Sequence, residues 1–116
     1  MNRIVLASVF ATVLTAPAIA ASEGGYHTVY GIGTKTCAAV QDWIQKNGIS
    51  SYGYLDAYVA GYLTATNVIA SGVDDIGDGL QPRQMMRKVL GYCDRNPDVI
   101  FQQAIFDAFI IQYRSK

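Results

Sequence analysis

The sequence predicts an all-α fold: a small four-helix domain with one disulfide linking the first and third helices. Three observations predict it. Four segments carry apolar residues at the three- and four-residue spacing that lines one side of a helix. Those segments are bounded by capping and stop residues, not by the alternation of strands. The two cysteines, Cys37 and Cys93, fall on the apolar sides of the first and third segments.

Residues 1–20 read as a secretory signal peptide outside the fold. Arg3 precedes the apolar run IVLASVFATVLTAPAIA, which closes on the small-x-small pattern Ala18-Ile19-Ala20. A membrane-spanning helix needs about 20 apolar residues; this run is shorter and broken by Thr12, Thr15 and Pro17. The mature chain would begin near Ala21, leaving 116 − 20 = 96 residues, enough for one domain. Without Arg3 the 9 basic residues become 8 against 9 acidic ones, so the mature net charge is −1.

That balance lacks the clustered Lys and Arg of a nucleic-acid footprint and the polybasic face of a membrane binder. The expected partners are proteins, recognised by shape and apolar surface. An exported chain lies in an oxidising compartment, periplasmic or secreted, where two cysteines read first as a disulfide. Bridging Cys37 to Cys93 closes a loop of 93 − 37 = 56 positions, which the chain-entropy argument values at roughly 4 kcal/mol.

Residues 21–33, ASEGGYHTVYGIG, are Gly-rich and lack a helical period, so they read as an arm or short strand pinned by Tyr26, Val29, Tyr30 and Ile32. The domain proper is residues 34–116. Its first helix runs from about Lys35 to Lys46, with Thr34 or Thr36 as cap and Asn47-Gly48 as stop. Cys37, Val40 and Ile44 share one face, with Trp43 beside them.

The second and longest helix runs from about Ser51 to Ala70, capped by Ser50 or Ser51 and ended by Ser71-Gly72. Leu55, Val59 and Leu63 form its core row, flanked by Tyr54, Tyr58 and Tyr62. Gly53, Ala57, Gly61 and Ala65 form a row of small residues, a candidate close-packing or dimer face. Two interior glycines cost about 1 kcal/mol each, which favours close approach of another backbone, from a neighbouring helix or a second subunit.

The loop SGVDDIGDGLQP follows, with Asp74, Asp75 and Asp78. Pro82 suits the first turn of the third helix, capped by Gln81 or an earlier residue. Met86, Val89, Leu90 and Cys93 face inward there, opposite Arg83, Arg87 and Lys88. Asn96-Pro97-Asp98 is expected to start the fourth helix. Its apolar arc is wide (Ile100, Phe101, Ile105, Phe106, Phe109, Ile110) and it ends on the basic stretch YRSK.

Catalytic and cofactor constellations are absent from this pattern. His27 is the lone histidine and lies in the arm, so neither a Cys-His nucleophile nor a zinc site assembles. The acidic loop fails the calcium-loop pattern: counting from Asp74, the third position is Ile76 and the twelfth Met85. GIGTKT, residues 31–36, lacks the spacing of a phosphate loop. The sole glutamate, Glu23, gives no carboxylate pair for glycosidase chemistry. The expectation is a non-enzymatic domain without metal or cofactor.

Three stretches occur together: TKTC opening the domain, GYLTATN in the second helix and VLGYCDRNP closing the third. Over residues 33–110 the chain resembles the Rap/Tai-type immunity proteins of peptidoglycan amidase effectors, through Cys37, Trp43, Gly61, Tyr62, Leu63, Asn67, Tyr92, Cys93, Asn96 and Pro97. It is also similar to the HdeA/HdeB acid-stress chaperones, through TC and YC..NP. The long second helix with Asn67 favours the first group. That resemblance implies an inhibitor of a cell-wall hydrolase, a homodimer being one option. The loop at Asp74, Asp75 and Asp78 is the candidate partner-binding segment because it is the exposed irregular stretch most able to enter a cleft. The second implies a chaperone that opens in acid and holds unfolded clients on its apolar fourth helix.

Overall fold

The computed structural model describes residues 28–115. Residues 1–20, expected to be a signal peptide, and the part of the expected arm holding Glu23, Tyr26 and His27 lie outside the described residues. Within them the chain forms four helices and no strand. They are α1 (Cys37–Asn47), α2 (Ser50–Ile69), α3 (Pro82–Arg95) and α4, built of three consecutive segments, Phe101–Ile105, Phe106–Ile111 and Gln112–Arg114. The Cys37–Cys93 disulfide joins the first residue of α1 to the last turn of α3, across 5.1 Å between Cα atoms.

The described part of the arm is an extended segment leading into a 3₁₀ turn, Gly31–Thr34, instead of a strand. Thr34 Oγ1 closes the turn by donating to the Gly31 carbonyl at 2.9 Å. Ile32 packs on the core, whereas Tyr30, expected as a pin, stands 78% exposed. The turn is seated by Gly33, where a Cβ would overlap the Tyr58 hydroxyl.

α1 begins at Cys37, two residues later than expected, because Thr36 is the cap: its hydroxyl accepts from the Ala39 N–H at 3.1 Å. The fourth helix departs further from expectation. Asn96 caps the end of α3, and Pro97-Asp98 makes a turn, so α4 starts only at Phe101. The physical reason lies at α1, whose first N–H groups have no partner within their own helix. The Pro97 and Val99 carbonyls accept from the Ala38 and Cys37 N–H groups, at 2.9 and 2.7 Å. Phe101 N–H returns the bond to the Lys35 carbonyl at 2.7 Å, across an isolated bridge pairing Thr36 with Ile100. Residues 97–100 therefore complete the start of α1, beside the disulfide.

Ser50 and Ser51 do not cap α2. Their hydroxyls donate backwards, to the Asn47 and Gly48 carbonyls at 2.7 and 2.6 Å. Only Gly48 and Ile49 separate α1 from α2, so the orphan carbonyls of α1 are the nearest acceptors. α3 opens with the Gln81–Gln84 capping box and Pro82 in its first turn.

The core gathers Cys37 and Val40 from α1, Leu55, Val59 and Leu63 from α2, and Met86, Val89 and Cys93 from α3. Phe101, Ala104, Ile105, Ala108, Phe109 and Ile110 come from α4. Three consecutive residues, Ala108 to Ile110, are all buried, which one stripe of an α-helix cannot supply. Phe106–Ile111, which holds them, is a π segment.

Candidate functional site

α2 has two very different sides. Inward, Leu55, Val59 and Leu63 are buried against α3 and the rest of the core. Outward lies the row Gly53, Ala57, Gly61 and Ala65, all exposed. A Cβ added at Gly53 or Gly61 would meet nothing within 4 Å. No neighbouring helix approaches this row, so of the two expected occupants the intramolecular one is excluded among the described residues. Beside the row, Tyr54 and Val68 stand 54% and 78% exposed.

The outer side of α2 is also free of charge. The helix holds one ionisable acid, Asp56, and both of its carboxylate oxygens accept from Arg83 Nε on α3, at 3.1 and 2.8 Å. Arg83 in turn lies over the Tyr52 ring at 5.1 Å. The one charge that α2 carries is thus directed to the α3 side.

The three tyrosines of the flanking row tie α2 to its neighbours. Tyr54 meets Trp43 of α1 edge-on, with centroids 5.7 Å apart. Tyr58 lies against Phe101 at 6.0 Å, and its hydroxyl donates weakly to the Tyr30 carbonyl at 3.4 Å. Tyr62 O accepts from Gln102 Nε2 of α4 at 2.7 Å. Burial is the first cause raising the Tyr58 and Tyr62 hydroxyls above the ordinary tyrosine value of 10.0; the Gln102 bond partly opposes it at Tyr62. Both side chains are neutral at physiological pH.

Where α2 passes the N-terminal segment the surface is concave. Thr28, Val29 and Tyr30 make one wall, and Ala57, Tyr58, Gly61, Tyr62 and Gln102 make the floor and the other. The groove measures about 450 Å³, and among the described residues no charged side chain lines it. Gln102, only 5% exposed, is a polar residue set inside the apolar arc of α4. The small row was legible in the sequence. The groove was not, because it depends on the arm folding back beside α2; Gln102, interrupting an otherwise apolar helix face, was the one available signal.

The acidic loop is organised for its own structure. Asp75 accepts from the Gly77 and Gly79 N–H groups at 3.0 and 2.8 Å, and Asn67 Oδ1 accepts from the Ile76 N–H at 2.8 Å. Ile76, in the middle of the acidic residues, is buried. Asp74 and Asp78 are exposed, Asp78 with φ +52°. Asp75 is therefore the turn's internal acceptor, and Asp74 and Asp78 are the loop's outward carboxylates.

Cys37 and Cys93 are fully buried in their bridge. Among the described residues no three His, Cys, Asp or Glu side chains converge as a metal site, and no helix is long and apolar enough to cross a membrane. Comparison with protein-family models, curated protein sequences and solved structures returns no match.

Proposed function

We propose that this chain is an exported, non-enzymatic protein-binding domain that docks a protein partner on the outer side of α2. The observation that carries the reading is the missing charge. α2 runs for 20 residues from Ser50 to Ile69, and its only acid is turned to Arg83. A surface helix normally carries its polar residues on the side away from the core. Here that side holds Gly53, Ala57, Gly61 and Ala65 beside exposed Tyr54 and Val68. Such a surface, rimmed by polar residues, is characteristic of interaction sites.

The disulfide and the corner at residues 93–101 support the same reading, because a rigid scaffold orders little on binding and so lowers its entropic cost. The role implied by the Rap/Tai-type resemblance, blocking a cell-wall hydrolase in the periplasm, is the form of protein binding that fits best. The loop at Asp74 and Asp78 would then be a second point of contact.

The test is capture from periplasm at neutral and acidic pH with native mass, comparing the parent chain with Ala65→Glu on α2 and Arg87→Glu on α3. One tight partner should be retained by the parent and by Arg87→Glu, and lost with Ala65→Glu. A partner retained by all three removes α2 as the docking side. Many clients held only in acid would replace the inhibitor reading with the chaperone one.

A further inference from the structure

We propose that Asn47 is a latent modification site, converted irreversibly to isoaspartate or aspartate whenever the corner between α1 and α2 opens. The chemistry is intramolecular and needs only water. The Gly48 backbone nitrogen loses its proton and attacks the side-chain carbonyl carbon of Asn47. The new carbon–nitrogen bond closes a succinimide ring, and the side-chain nitrogen takes up the proton and leaves as ammonia. Water then adds to one imide carbonyl and breaks its bond to the ring nitrogen. Opening at the side-chain carbonyl gives aspartate; opening at the main-chain carbonyl gives isoaspartate.

The sequence favours this at one asparagine. Asn47 is followed by Gly48, whose missing Cβ leaves the nitrogen open to approach. Asn2 is followed by Arg3, Asn67 by the β-branched Val68, and Asn96 by Pro97, which has no N–H to lose.

The fold withholds the reaction while the corner is formed. Asn47 is the last residue of α1 and is exposed, so water reaches it. Both reacting groups, however, are tied to the preceding turn. Gly48 N–H donates to the Ile44 carbonyl at 2.7 Å, and Asn47 Nδ2 donates to the Trp43 carbonyl at 2.8 Å. The nitrogen must give up the first bond to shed its proton and turn onto the side chain. The side chain, held by the second, is not free to swing towards it. Two serine hydroxyls fix the adjoining carbonyls: Ser50 Oγ donates to Asn47 at 2.7 Å and Ser51 Oγ to Gly48 at 2.6 Å.

The product cannot restore what held the corner. A carboxylate has no donor for the Trp43 carbonyl, and its charge stands at the negative end of α1. Isoaspartate also adds a methylene to the main chain, where only Gly48 and Ile49 separate α1 from α2. The corner thus keeps a one-way record of its openings.

The experiment incubates the full oxidised chain, and a capped peptide of residues 45–51, at mildly alkaline pH. Peptide mass and chromatography that resolves isoaspartate follow the conversion. It is expected at Asn47 alone, at least tenfold slower in the chain than in the peptide. Exchange of the Gly48 amide hydrogen should be slowed by the same factor, within threefold, because one opening exposes both groups. Ser50→Ala and Ser51→Ala, each removing a bond across the corner, should speed both rates together. In the converted chain the emission of Trp43, the sole tryptophan, should shift, since its ring packs edge-on against Tyr54 at the same corner.

Conversion in the folded chain within tenfold of the peptide overturns the proposal, as does a peptide that does not convert. Conversion and amide exchange slowed by different factors would remove the corner as the gate. Should Ser51→Ala fail to fold, Ser50→Ala and the comparison with the peptide decide it.

Discussion

α2 and α3 form the largest helix pair of the molecule and contribute comparable rows to the same core, yet their outer sides are opposites. α3 presents Arg83, Gln84, Arg87, Lys88, Asp94 and Arg95 to solvent. α2 presents Gly53, Tyr54, Ala57, Gly61, Thr64, Ala65 and Val68. The side of α3 is built for water: Lys88 even reaches back over the Phe109 ring, 4.4 Å away, with its stem covering apolar surface. The side of α2 accepts two interior glycines, at about 1 kcal/mol each, with nothing among the described residues within 4 Å of a Cβ built on either. The difference teaches that the inner half of a helix reports the fold and the outer half reports what the fold meets.

Removing the staple breaks the comparison most strongly. α1 and α3 are joined through Cys37 and Cys93, and the corner that carries the chain into α4 is hydrogen-bonded to α1 beside that bridge. Replacing both cysteines by alanine should cost roughly 4 kcal/mol, read as a lowered urea midpoint in equilibrium unfolding. A loss below about 1 kcal/mol would mean the corner holds α1 to α3 without help.

The next effect sharpens the contrast between the two outer sides. Ala65→Glu on α2 should weaken the captured partner about a hundredfold, equivalent to roughly 2.7 kcal/mol. Arg87→Glu on α3 should leave binding within a factor of three. Both positions are exposed, so both variants should keep their stability within about 0.5 kcal/mol. Partner affinity by titration calorimetry, beside thermal melts, separates the two effects.

A smaller effect isolates the glycines. Since nothing meets a Cβ at Gly53 or Gly61, alanine at either should stabilise the free chain by up to about 1 kcal/mol through helix propensity alone. Gly33→Ala should do the reverse, because its Cβ overlaps the Tyr58 hydroxyl and pushes that ring off Phe101. Three melting curves decide it. No stabilisation from Gly61→Ala would show that the row is already covered in solution.

How much of this was legible in the sequence follows the same division. The core rows, the Cys37–Cys93 link and the Gln81-Pro82 start of α3 were readable, because each follows from periodicity or local chemistry. Asn96-Pro97-Asp98 misled because the residues that start helices also make turns, and here the Pro97 and Val99 carbonyls serve α1. Ser50 and Ser51 misled for a related reason: with α1 ending so near, their hydroxyls found its carbonyls first. The small row of α2 was visible as a pattern, but that it faces outward was set by tertiary packing. The groove joins residues 28–30 to 57–62 and Gln102, a juxtaposition that no local signal encodes.

The finest test compares the tyrosines of the two helices. Tyr58 and Tyr62 on α2 are raised first by burial, whereas Tyr92 on α3 is raised first by its hydrogen bond to Asp107, 2.6 Å away, and then by burial. A raised folded pKa means the fold favours the protonated phenol. The stability linked to it is therefore whole below the unfolded value of about 10 and is lost as pH climbs through the folded one. Urea midpoints should be flat from neutral pH to about pH 9 and fall above pH 10. Tyrosinate absorbance then separates the two causes. Asp107→Asn should bring the Tyr92 titration down towards its ordinary value and leave Tyr58 and Tyr62 unmoved. A partner covering α2 should do the opposite, raising Tyr58 and Tyr62 further by excluding water while Tyr92 stays. A docked partner that moved Tyr92 instead would place the contact on α3, the side whose charges already suit it to water.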